Sequence, residues 1–261
     1  MSEKANPLLF QKDGPIATIS LNRPERKNAL LFSMRAQLAD LCDQINDDPS
    51  IRAVILTGIG NDFCSGADVS EMGKAAISGA LTRARHMQRV ITSLSHVQKP
   101  LIGAVRGFAL GMGLSLSLAC DYIVAGESMR MGCVQRKIGL CPDAGNVWFL
   151  TRLIGVAKAK DLVFSARMWG AEEALNMGMV HKVVPNEHIL DEALLVAKSF
   201  ADGPTLALAA AKYMFERASS ASLEEFMEME GSWVPLLAQS VDFKEGTRSF
   251  VEKRPPSFAG E

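Results

Sequence analysis

An α/β fold with a helical C-terminal third is the reading of this sequence, and three features carry it. Strand-like and helix-like apolar spacings alternate from Ile16 to Ala125. An apolar run, a glycine turn and a second apolar run follow one another from Leu101 to Ala119. After Val183-Val184-Pro185, every segment is helical in its spacing. Strand, helix, strand, helix in that order favours a layered α/β core, expected over residues 1–185, with 186–261 as a helical region.

Ile16-Ala17-Thr18-Ile19-Ser20-Leu21 alternates apolar and polar residues as a half-buried strand does, and Asn22-Arg23-Pro24 ends it. From Asn28, a candidate cap, Leu31, Met34, Leu38, Leu41 and Ile45 recur at helical spacing. Ile51 to Thr57 reads as the next strand, followed by Gly58-Ile59-Gly60 and a loop of small residues, Cys64-Ser65-Gly66-Ala67-Asp68. Residues 71–97 become clearly helical only after Leu81, and a mobile cover is expected there. Leu101 to Val105 is a strand, Leu114 to Ala119 a helix, and Tyr122 to Ala125 another strand. Cys141-Pro142-Asp143-Ala144-Gly145 is a turn by composition, before a helix over Val147 to Leu153. Helices are expected at 156–165, 171–177, 189–200, 205–217, 222–240 and 242–253.

The composition is 48% hydrophobic and 22% charged, with a formal net charge of −1, which fits an enzyme-sized unit and provides no global basic field for nucleic acid. Five cysteines without a C-x-x-C pair argue against a disulfide framework and a zinc site. With a polar start and no apolar run of membrane-spanning length, the expected setting is soluble and cytoplasmic. Gly58-Ile59-Gly60 has Phe63 where a dinucleotide fingerprint needs its third glycine, and Gly113-Leu114-Ser115-Leu116-Ser117 lacks the last glycine of a nucleophile elbow. The histidines show no metal-ligand spacing.

What remains is backbone chemistry. Gly107-Phe108-Ala109-Leu110-Gly111-Met112-Gly113 joins a strand to a helix start, where unpaired N–H groups and the helix dipole favour a developing oxyanion. Ser115 follows one turn later on the same face. Taken alone, this loop and Cys64 to Asp68 are each ordinary tight turns; together they form a candidate site.

Several runs resemble those of the crotonase family, the enoyl-CoA hydratases and isomerases: Leu21-Asn22-Arg23-Pro24-Glu25-Arg26-Lys27-Asn28-Ala29-Leu30, Phe63 to Asp68, Gly107 to Gly113, Lys137 to Gly145, and Phe250-Val251-Glu252-Lys253-Arg254. Within the family, Lys137 to Gly145 with Trp148-Phe149-Leu150 after it is most similar to the 1,2-epoxyphenylacetyl-CoA isomerases. The resemblance implies a spiral of strand-strand-helix units, a helical region that builds trimers or hexamers, an acyl-CoA thioester as substrate, and no cofactor beyond the coenzyme A it carries. By position, the Ala67 and Met112 amides would form the oxyanion hole. Ser65, Asp68 and Val69 would follow the adenine and pantetheine, Arg26 and Lys27 the phosphates, and Phe250 and Lys253 would close over the nucleotide. Met72, Met87, Met112, Met131 and Trp148 are candidates for the acyl pocket or for plain core packing.

Where hydratases of the family carry two glutamates, this sequence has Ser115 and Gln135, neither of which can act as a carboxylate base. The acid that remains is Asp143, at a position where one-acid isomerases carry an aspartate; its competing role is to cap the helix that follows. The resemblance thus implies an isomerase that shuttles a proton through Asp143, with Ser115 and Gln135 orienting a polar acyl group or a water. A residual hydratase, a dehalogenase-like use of Asp143 as nucleophile, and a non-catalytic acyl-CoA binder are the alternatives.

Overall fold

The computed structural model describes residues 6–71 and 77–261. Along the chain come β1 (Leu8–Asp13), β2 (Ile16–Leu21), α1 (Phe32–Asp47), β3 (Ala53–Gly58), α2 (Ile77–Ser95), β4 (Leu101–Val105), β5 (Phe108–Leu110), α3 (Met112–Leu118), β6 (Tyr122–Gly126) and β7 (Arg130–Gly132). Then follow α4 (Asn146–Ser165), β8 (Met168–Gly170), α5 (Ala171–Asn176), β9 (Lys182–Val184), α6 (Ile189–Ala201), α7 (Thr205–Ala218), α8 (Leu223–Leu237) and α9 (Val241–Glu252).

The main sheet runs β1-β2-β3-β4-β6-β9, and a smaller one runs β5-β7-β8. β1 is antiparallel to β2 and the other main-sheet pairs are parallel. After a long strand the chain steps into the second layer: β4 passes to β5 and then to α3, and β6 passes to β7. Segment 63–68 makes the same step after β3 through single parallel bridges, Cys64 with Ala109 and Ala67 with Leu30. The strand-strand-helix spiral is thereby present, with its second layer reduced to very short strands.

Parallel strands sit in cores covered on both faces, and β3 is buried along its whole length. One face meets α1, α2 and α3 through Ile19, Leu38, Leu56, Leu94 and Leu114. The other meets α6, whose Ala193, Ala197 and Ala201 let its backbone approach Ile55, Ile102 and Val124 closely. Each fully buried leucine or isoleucine contributes about 1.5–3 kcal/mol. β2 is accordingly buried on both faces rather than half-buried. α6, the first helix beyond residue 185, forms the second core layer.

The C-terminus is fastened at the N-terminal end of β3. Arg52 donates from Nη2 to Gly203 O (2.6 Å), from Nη1 to Phe258 O (2.9 Å) and from Nε to Thr205 Oγ1 (3.0 Å). Buried Asp242, in the first turn of α9, accepts from the amides of Ala259 and Gly260.

Asn28 does not cap α1, which starts at Phe32 with no side-chain cap. It is fully buried at φ +54°. Its Nδ2 donates to Ile59 O (2.9 Å) and Asp62 O (2.6 Å), and its Oδ1 accepts from Arg23 N (2.8 Å). The amide is therefore committed to tying the turn after β2 to the loop after β3. Asn28→Ala strands both carbonyls and is expected to cost about 1–3 kcal/mol in urea unfolding; an unchanged midpoint would mean that water replaces the side chain.

Candidate active site

The site is first an arrangement of main chain. Cys64 N donates to Phe108 O (2.7 Å) and Leu110 N to Cys64 O (3.0 Å), while on the other edge Leu30 N donates to Gly66 O (2.8 Å) and Asp68 N to Leu30 O (3.0 Å). In such a parallel ladder the residue between the two bonded neighbours turns its own N–H to the far side. The Ala67 amide thus faces away from Leu30, toward the start of α3. A Cβ built on Gly66 would lie 3.0 Å from Leu110 O and 3.8 Å from Met112 N. Met112 opens α3 after Gly111 at φ +53°, so its N–H has no carbonyl one turn back. Neither amide donates to a loop carbonyl among the described residues. Two unpaired donors side by side are what an oxyanion hole requires.

Gly113 sets how close the loops come: a Cβ there would stand 2.1 Å from Cys64 O. Met112 is only 2% exposed, so its side chain belongs to the core and its main-chain donor is undisturbed.

Asp143 lies in the turn ahead of α4. Its carboxylate does not cap the helix, whose N-cap is Gly145 with no side-chain bond. Instead Oδ1 accepts from Gln135 Nε2 at 2.9 Å. Gln135 Oε1 in turn accepts from the Cys133 thiol at 3.3 Å; burial pushes that thiol up to about 11, so it remains a donor at neutral pH. A thiol on one side and a carboxylate on the other fix which end of the Gln135 amide faces which. A Cβ on Gly111 would lie 3.6 Å from Gln135 Nε2, which puts this amide beside the oxyanion loop. Ser115, fully buried in α3, has no hydrogen-bond partner for Oγ among the described residues.

Asp143, Ala144 and Gly145 form part of the wall of a cavity of about 890 Å³ shared with Met87, Trp148 and Phe149. Met131 is a core residue, and Met72 lies outside the described residues.

The expected thioester-binding residues of the first two loops come together. Ser65 N donates to Lys27 O (2.9 Å) and Ser65 Oγ to Arg26 O (3.4 Å). Lys27 Nζ stands 4.3 Å over the Phe108 ring, and Arg26 and Val69 are exposed. Asp68 is an anchor: it pairs with Arg23 at 2.9 Å and accepts from Ser70 N at 3.0 Å. Those bonds, Ser70 first and Arg23 after it, hold its carboxyl below the ordinary value although burial opposes them.

Phe250 and Lys253 are not brought to this site within one chain. α9 is fastened through Asp242 and the tail to Arg52, at the opposite end of the main sheet. Phe250 is 85% exposed and lines an apolar cleft with Leu206, Phe243 and Phe258.

Arg35 was not legible as a site residue. It is 8% exposed on the buried face of α1, with its guanidinium 5.8 Å over the Phe32 ring. The available signal was its position: four residues after Leu31 and three before Leu38, it puts a charge on the apolar stripe of an amphipathic helix.

Across residues 11–261 the chain matches the family model for enoyl-CoA hydratase/isomerase. It is 34% identical to the 1,2-epoxyphenylacetyl-CoA isomerase of Escherichia coli K12, covering 97% of this chain and 98% of that one. It is also 34% identical to the 2,3-dehydroadipyl-CoA hydratase of the same organism, again over 97% and 98%. Among solved structures, the enoyl-CoA hydratase of Bacillus anthracis superposes with a TM-score of 0.93 at 32% identity, over 98% of this chain and all of that one.

Because the folded-state pKa of Asp68 is depressed, its contribution to stability is complete above the ordinary carboxylate range near ~4 and is lost as pH falls through the lowered value. Asp68→Asn is expected to lower Tm at pH 7 by roughly 2–4 °C, an effect of about 1 kcal/mol after solvent screening. The gap to the parent should close in strongly acid buffer; a gap that persists there would assign the loss to packing.

Proposed function

Since the chain belongs to the enoyl-CoA hydratase/isomerase family, we propose that it is an acyl-CoA isomerase that moves a double bond, or rearranges an acyl thioester, through an enolate. The observation that carries this reading is the pairing of one carboxylate, Asp143, with a neutral amide, Gln135, beside two unpaired main-chain donors. Water addition in this fold calls for two acid–base groups, and the other candidate positions hold Ser115 and Gln135, which cannot take up a proton at neutral pH.

The thioester oxygen sits between the Ala67 and Met112 amides. As a proton leaves the adjacent carbon, negative charge gathers on that oxygen and the two donors stabilise it; loss of one donor from comparable sites costs ~2.7–4 kcal/mol of barrier. Asp143 takes the proton on the oxygen that Gln135 does not hold. For a 3-enoyl thioester the carboxyl then returns it two carbons further along. The double bond is now conjugated with the thioester, and Asp143 is again ionised. Gln135 acts by orientation, keeping the accepting oxygen on the acyl side.

Arg26 and Lys27, exposed beside the Ser65 to Val69 loop, suit the phosphates of coenzyme A. The exposed apolar surface of α7–α9, with Phe215, Phe250 and Val251 at least 80% exposed, suits contact between copies in a trimer or hexamer. Phe250 and Lys253 would then close over the nucleotide of a neighbouring copy.

Purified protein is to be tested with 3-enoyl-, 2-enoyl- and 1,2-epoxyphenylacetyl-CoA thioesters, following conjugation and ring change spectrophotometrically. Asp143→Asn is expected to lower kcat by ~10²–10⁴ while Tm holds. Retention of turnover within a few-fold would remove Asp143 from the mechanism. Hydration of 2-enoyl-CoA without isomerisation would replace this reading with a hydratase, and tight binding without any turnover with a binding protein.

A further inference from the structure

Five buried polar side-chain atoms have no partner among the described residues: Arg35 Nε, His86 Nδ1, Ser115 Oγ, Asn146 Oδ1 and Trp169 Nε1. Four of them surround the site. Ser115 follows Met112 by one turn, and Asn146 donates from Nδ2 to the carbonyl of Asp143 at 2.8 Å. The rings of Phe32 and His86 are 4.8 Å apart, and Arg35 lies over that same Phe32. Buried polar groups are normally satisfied, so their gathering at one place points to a polar ligand.

Arg35 is the costly member. Taking a guanidinium out of water is strongly unfavourable unless an acceptor replaces the water, and burial does lower its pKa while the charges of Glu71 and Asp143 oppose that shift and Arg83 adds to it. Neither carboxylate pairs with it. Glu71 Oε2 is committed to Phe32 N at 2.7 Å, and Asp143 Oδ1 to Gln135. The terminal nitrogens of Arg35 also have no hydrogen-bond or ion-pair partner among the described residues, yet they are not sealed from solvent as Nε is. The group is thus held in a largely buried place with its donors unspent among the described residues.

We propose that the acyl chain of the substrate carries an oxygen, as an alcohol or a carboxylate, and that Arg35 binds it. This rests on the acyl-thioester reading above and narrows it. Arg35 would be a specificity residue: an oxygen-bearing chain supplies the missing acceptor, whereas a plain hydrocarbon chain leaves the cation unsatisfied and is selected against.

Binding is to be read by calorimetry with saturated thioesters, which have no double bond to move: butyryl- and hexanoyl-CoA against 4-hydroxybutyryl-, succinyl-, 6-hydroxyhexanoyl- and adipyl-CoA. The parent is expected to bind at least one oxygen-bearing chain about tenfold or more tightly than its hydrocarbon counterpart; the alcohols and the carboxylates show which oxygen is preferred. Arg35→Met should abolish the preference, leave hydrocarbon-chain binding unchanged or tighter, and leave Tm unchanged or raised. Arg35→Lys should restore part of it. Equal binding of both kinds of chain by the parent would overturn the proposal. So would uniform weakening of all thioesters by Arg35→Met, or a fall in Tm with loss of all binding. Failure of the isomerase reading would show only in turnover of unsaturated thioesters.

Discussion

The close passage of two backbones holds the rest in place. Segment 63–68 runs between the strand that leads to α3 and the turn that leads into α1, bonded to Phe108 and Leu110 on one edge and to Leu30 on the other. Only glycine at 113 tolerates the distance to the Cys64 carbonyl. This geometry leaves the Ala67 and Met112 amides with no main-chain acceptor among the described residues, and it does so without a functional side chain. A methionine can therefore stand at 112: the side chain goes into the core, and the donor belongs to the main chain. The anchors are polar and lie just outside. Asn28 ties the turn after β2 to the loop after β3, and Arg23 with Asp68 closes the far end of the segment. An oxyanion hole tolerates little displacement of its donors, so the segment is fixed at both ends: Phe63 and Cys64 set its start in the core, and polar side-chain bonds hold its far end.

Long, continuous apolar signals were legible. β2 and β4 coincide with the sequence reading, and the helices from α5 onward have ends within three residues of it. The three-residue strands β5, β7, β8 and β9 were not, because so short an element shows no periodicity and is held by its neighbours in space. β1 was also missed, since four of its six residues are exposed. The start of α1 was misplaced because an asparagine before an apolar stripe reads as a cap; its buried amide instead bonds carbonyls over thirty residues away, which no local rule detects. The two oxyanion loops could be suspected from their glycines, but their convergence depended on family likeness. Asp143 was the same kind of case: a turn aspartate is ambiguous until its partner, Gln135, is seen.

The neutral residues of the site restrict the chemistry as much as the acid does. With Gln135 in hydrogen-bond contact, Asp143 has one oxygen held and the other open, an arrangement suited to taking a proton and giving it back within one bound molecule. Adding water would require a second group to hold and deprotonate it. Ser115 occupies too little space and is fully buried, and Gln135 is engaged on both ends. Ser115 Oγ and Asn146 Oδ1 are left without a partner among the described residues.

The ends of the main sheet divide the work between chemistry and enclosure. The loops that carry Arg26, Lys27 and Ala67 leave the C-terminal ends of β2 and β3, Met112 follows the β4–β5 step and the Asp143 turn follows β7, whereas Arg52 draws the tail and α9 to the N-terminal end of the main sheet. On the proposed reading, one chain supplies the donors, the acid and the first phosphate-side residues, while its own Phe250 lies elsewhere. An enolate needs a water-poor site, because solvent weakens each donor it reaches. Phe215, Phe250 and Val251 stand almost fully exposed on α7 and α9, and clustered apolar exposure of this kind marks an interaction surface. Covering them with a second copy would bury that surface and bring aromatic bulk to a site that a single chain leaves open, so assembly and catalysis would draw on the same contacts.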